Sequence, residues 1–247
     1  MISANLTAFL YLVSGIFFIL ALRGLSSPET SRQGNFFGIG GMTIAIMVTL
    51  LSLKDMSILI NNSLFILGPI ALGGLVGAFI AARIAMTAMP QLVAGFHSLV
   101  GLSAVLIAIA AFYNPSSFGI GETGNIKLAS LIEMSIGVSI GAITFSGSCI
   151  AFLKLQGLMS GSPITFKGQH ILNLLIGLSI VFLIIYLCFI QSEHLFWTIT
   201  VLSMFVGFLI IVPIGGADLP VICFMFIYYF ILSWAGFEFH LHHYALF

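Results

Sequence analysis

The chain has 247 residues, 60% of them hydrophobic and only 6% charged; seven Lys and Arg balance seven Asp and Glu, and the mean hydropathy is +1.23. A soluble domain carries about a quarter charged residues, so these few charges cannot furnish a water-facing surface, and lipid must be the outer solvent. The even balance also excludes a nucleic-acid partner, which requires a basic stripe to displace counterions.

Crossing a hydrocarbon core of about 30 Å takes about 20 apolar residues as a helix. The apolar runs predict an all-α, polytopic bundle of about eight helices, near 5–22, 37–53, 62–82, 91–112, 129–152, 170–190, 194–212 and 219–238. The first run is too long for a signal-peptide core and no small-residue cleavage site follows it, so it reads as a retained span. A polar stretch over 23–35, with Pro28 as a breaker, separates it from the second span, which ends at Lys54 and Asp55. The third span carries Gly73 and Gly77, a spacing that lets helix backbones approach closely in lipid. Residues 83–90 lead into the fourth.

The fourth span holds His97. It lies about 9 Å inside the cytoplasmic edge at 1.5 Å per residue, with Gly101, Ala104 and Ala108 forming a small-residue stripe at helical spacing. Histidine exchanges protons near neutral pH, and a charge at mid-span costs about 2.5–3.5 kcal/mol. A proton carrier and a neutral histidine tying two helices together both fit the residues. After a Pro/Ser/Gly loop over 114–127, the fifth span begins a second stripe: Glu133, Gly137, Gly141, Thr144 and Ser148, on one helix face. Burial raises a carboxyl pKa, so Glu133 reads equally as a proton carrier, a neutral donor or an anchor. From the span edges, its depth differs from that of His97 by roughly 10–15 Å. A loop over 158–169 precedes the sixth span. The last breaks, near Ser192 and Gly215, are short and predict antiparallel hairpins.

Two patterns carry no chemistry in this setting. Gly119, Gly121 and Gly124 match G-x-G-x-x-G, but the loop lacks the βαβ context that gives that pattern meaning. The tail His240, His242 and His243 has metal-ligating residue types without zinc spacing. Cys149, Cys188 and Cys223 sit in apolar runs as small hydrophobes, with no CxxC pair. Loop charge sets orientation: Arg23, Arg32, Arg83, Lys154 and Lys167 fall in the odd-numbered loops, and Lys54 and Lys127 in the even ones. The odd loops are therefore expected in the cytoplasm and the N-terminus outside.

Five segments then resemble one family in order over residues 10–222: ETSRQGN at 29–35, MTAMP at 86–90, HSLVGL at 97–102, GAITFSGS at 141–148 and IGGADLPV at 214–221. The family is the β subunit of proton-translocating NAD(P) transhydrogenase, in its membrane domain. The resemblance implies a membrane component that couples hydride transfer from NADH to NADP+ to proton passage. It implies His97 as the proton-relay histidine, Glu133 as a membrane carboxylate and Asp218 as the acidic residue of the cytoplasmic hinge loop. NAD and NADP are implied as cofactors of the complete complex, with none bound by this chain. The α subunit and an NADP-binding part are implied as partners in an oligomer embedded in the lipid of the cell inner membrane.

From about Cys223 the text departs from the family. The family continues with Asn-Ser-Tyr-Ser-Gly-Trp, whose asparagine is a polar partner on the proton path; here Ile227 takes that place. The expected organisation is a β-subunit-like membrane domain at 1–222 and a divergent apolar tail at 223–247, with a last helix and the soluble NADP-binding domain lying outside these residues. A truncated, inactive remnant of the subunit is one alternative, and a small-solute carrier another. Carriers tend to show internal symmetry, and no pair of similar halves is found here.

Overall fold

The computed structural model describes residues 4–25, 29–52, 63–85 and 88–215. Seven α-helices lie among them: α1 (Ala4–Leu25), α2 (Ser31–Ser52), α3 (Ser63–Arg83), α4 (Met89–Tyr113), α5 (Leu128–Leu155), α6 (Gln169–Ile190) and α7 (Glu193–Ile211). A two-residue-per-strand hairpin, β1 (Gly121–Glu122) with β2 (Asn125–Ile126), joins α4 to α5. Helices are the expected solution in lipid, where each backbone N–H and C=O must find its partner within the segment. All helices but α1 are long and apolar enough to cross a membrane, and α1 contains a shorter apolar stretch, Asn5–Ala21. The eighth predicted span, 219–238, lies outside the described residues.

Two boundaries differ from expectation. α2 starts at Ser31 rather than near 37, because Arg32, Gln33 and Asn35 continue the helix. Intrahelical bonding satisfies their backbone at the membrane edge better than an open loop would. α5 runs for 28 residues, or about 42 Å. It therefore outreaches the hydrocarbon core and carries Lys154 inside its last turn.

The chain forms two compact units, Met1–Arg83 and Ile84–Phe247. In the first, α1 and α2 pack antiparallel. Ser14 Oγ donates to Gly41 O at 2.7 Å, Tyr11 and Thr49 share a 2.8 Å hydroxyl bond, and Phe17 meets Phe37 edge-on at 5.7 Å. In the second unit, α5 is central and touches α4, α6 and α7. Leu131, Met134 and Val138 of α5 pack with Phe112 of α4 and Phe196 and Ile199 of α7, and Phe112 stacks on Phe196 at 4.5 Å.

The distribution of polarity is that of a protein in lipid. Leu174, Phe182 and Phe189 point outward from α6, while Ser135, Ser139, Thr144, Ser146, Thr200 and Ser203 are buried. Most of these hydroxyls satisfy themselves locally. Ser135 donates to Leu131 O, Ser139 to Ser135 O, Ser146 to Ala142 O and Thr200 to Phe196 O, at 2.6–2.9 Å.

The α6–α7 break is as short as expected, Gln191 and Ser192. Gln191 adopts a left-handed backbone, φ 49°. Its side-chain amide clips the hairpin from both sides: Ile126 N–H donates to Oε1 at 2.9 Å and Nε2 donates to Ile126 O at 3.1 Å.

Candidate functional site

The α4–α5 seam positions His97. An added Cβ on Gly101 would lie 2.6 Å from Phe145 N and 2.8 Å from Gly141 O, and one on Gly141 would lie 3.0 Å from both Ala104 Cβ and Gly101 O. Only glycine allows this approach. The same antiparallel register continues toward the Met89 end of α4: Gly95 faces Phe152, and Gln91 Nε2 donates to Leu155 O at 2.9 Å. His97 therefore enters the seam level with residues 148–150 and is 6% exposed. Thr144 and Ser148, one helical turn apart on α5, are buried on the flank of that seam. One titratable imidazole and two hydroxyls thus lie in the buried part of α4 and α5.

Glu133 is half-buried, and the register puts it level with residues 112–114, near the other end of α4. Along the helix axis it is roughly 20–25 Å from His97, farther than the 10–15 Å expected. The expectation was measured from span edges, whereas the packing register runs His97 and Glu133 to opposite ends of the crossing. Asp218 and Ile227 lie outside the described residues, as do Cys223 and the histidine-rich tail. Cys149 and Cys188 are free thiols. No group of three or more His, Cys, Asp or Glu side chains that could hold a metal ion occurs among the described residues.

The G-x-G-x-x-G match is a hairpin rather than a phosphate cradle. Gly119, Gly121 and Gly124 take φ of 68°, 138° and 84°, and a Cβ on Gly121 would lie 2.5 Å from Asn125 O across the strands. The glycines at packing spacing differ in what they meet among the described residues. Gly141 makes a close approach, but a Cβ at Gly73, Gly77 or Gly137 would meet nothing among the described residues. The second tight contact is instead between α5 and α7, where a Cβ on Gly207 would collide with Ser146 Oγ and come within 2.5 Å of Ile143 O.

Sequence reasoning missed Lys154, which it counted as a loop charge. The side chain is 4% exposed, and its ammonium donates to Val212 O at 2.5 Å, Ile214 O at 2.9 Å and Ile211 O at 3.4 Å. A cation at the C-terminus of α7 meets the negative end of that helix dipole. Gln169, at the start of α6, adds a second tie, Nε2 to Leu209 O at 2.9 Å. A lysine at the end of an apolar run usually snorkels to the headgroups, so nothing local signals that this one turns inward.

Fold and site define a multi-pass helical membrane protein with a buried histidine on a glycine-packed helix seam. The family model for the NAD(P) transhydrogenase beta subunit matches residues 7–247. The chain belongs to that family. Two curated sequences of NAD(P) transhydrogenase subunit beta from Rhodospirillum rubrum are each 49% identical to it over 218 residues, covering 88% of this chain and 46% of the relative. The chain thus spans about half the length of the curated relatives it matches.

Proposed function

We propose that this chain is the proton-conducting membrane part of an NAD(P) transhydrogenase, coupling hydride transfer from NADH to NADP+ to proton movement across the membrane. The observation that carries the reading is His97. It is a buried, exchangeable group on the α4–α5 seam that Gly101 and Gly141 close, on segments of the family match.

In this reading His97 takes up and releases the proton. Glu133 serves nearer the outer end, and a separation of roughly 20–25 Å requires hydroxyls or water between them. Asp218 connects the membrane part to nucleotide chemistry on the cytoplasmic side. NAD and NADP are held by the α subunit and an NADP-binding part, within an oligomer in the inner membrane, with the N-terminus of this chain outside.

The test is His97→Ala in the assembled transhydrogenase, reconstituted in proteoliposomes. Proton translocation and the hydride transfer coupled to it should both be lost while the variant inserts normally. A histidine that only packs would lower stability by about 1–3 kcal/mol and leave coupling per folded molecule unchanged. That outcome would refute the relay.

A further inference from the structure

We infer that Lys154 is a positioning residue for coupling: its ammonium makes the α5 end of the proton site hold the cytoplasmic end of α7 and the segment that runs on toward Asp218. The inference rests on the proton-coupled reading above.

The C-terminus of α7 has no glycine cap of the usual kind. Val212 and Pro213 follow Ile211 directly, and Pro213 has no N–H to return to the helix. The carbonyls of Ile211, Val212 and Ile214 converge instead on one buried ammonium, at 3.4, 2.5 and 2.9 Å. The turn around Pro213 is thus shaped by a side chain of another helix. Water at the membrane edge could satisfy these carbonyls without burying a charge, so stability alone is a weak reason for the arrangement.

The contact also continues back to the site. Leu155, the neighbour of Lys154, gives its carbonyl to Gln91 Nε2 at 2.9 Å. Gln91 stands on α4, the helix that carries His97. A shift of α4 against α5 as His97 changes state therefore bears on the last turn of α5, and through Lys154 on residues 211–214. A lysine serves here because its charge grips several carbonyls from one atom on a flexible stem.

The full chain, in the assembled transhydrogenase, is reconstituted in proteoliposomes as wild type, Lys154→Met and Lys154→Arg. NADH-to-NADP+ hydride transfer is read with and without an imposed proton gradient. Lys154→Met should keep the rate without a gradient within about twofold and lose at least about fivefold of the gradient's stimulation, the low end of ordinary coupling between sites. Lys154→Arg, which keeps the charge, should recover most of that stimulation. Equal stimulation in Lys154→Met and wild type overturns the inference and leaves the lysine a stabilising cap. If Lys154→Met fails to accumulate, Gln91→Met breaks the preceding link with Lys154 intact, and carries the same expectation and the same refutation. A wild type without gradient stimulation, or a His97→Ala variant that keeps it, refutes the proton-coupled reading instead, independently of Lys154.

Discussion

Gly101 of α4 lies directly against Gly141 of α5, so close that a methyl group on either would press on the other's backbone. The contact sits one helical turn from His97 and sets the level, near residues 148–150 of α5, at which the histidine enters the seam.

Replacing Gly101 by alanine should therefore lower the melting temperature of the detergent-solubilised protein, at a cost of about 1–3 kcal/mol for overpacking. The obstructing atoms, Phe145 N and Gly141 O, are backbone and cannot rotate away. Gly137→Ala, on α5 and facing no described atom, should leave stability unchanged or raise it by up to about 1 kcal/mol through helix propensity. Equal effects from the two substitutions would contradict the close approach.

Gln191 ties the α6–α7 turn to the buried Ile126 through both ends of its amide. Gln191→Ala leaves the Ile126 N–H and C=O without those partners and places alanine at φ 49°. Stability should fall by at least about 1 kcal/mol, with faster hydrogen exchange at the Ile126 amide. Unchanged exchange would mean that the hairpin is held by α5 alone.

The expected orientation rests on five Lys and Arg against two, and with the buried Lys154 set aside four against two keep the same sign. A reporter fused near Gly161 should be cytoplasmic, and one near Gly121 outside. The reverse pattern would invert every statement about the cytoplasmic end, including that for Lys154.

This chain by itself should bind neither NAD(H) nor NADP(H) at micromolar concentration. Its one Gly-rich match closes a two-stranded hairpin, and among the described residues no βαβ unit directs a helix N-terminus at a pyrophosphate. Calorimetry on the purified protein checks this, and micromolar heat of binding with either nucleotide would reveal a site elsewhere.

The amino-acid sequence by itself determined the seven described spans, their order and the short α6–α7 turn, because crossing lipid is a matter of how many consecutive residues are apolar. That property is local and can be counted along the chain. It also marked His97 and Glu133, since an ionisable group inside such a run stands out wherever its helix comes to pack. The tertiary structure alone decided which small residues are contacts: Gly101, Gly141 and Gly207 are, and Gly137 meets no described atom despite the same spacing along α5. It alone lengthened the separation of His97 and Glu133 and turned Lys154 inward onto the end of α7. These outcomes depend on how each helix is rotated and how far it slides against its neighbour. In lipid that choice is made by backbone approach and polar pairing between segments distant in the chain, so no single span carries it.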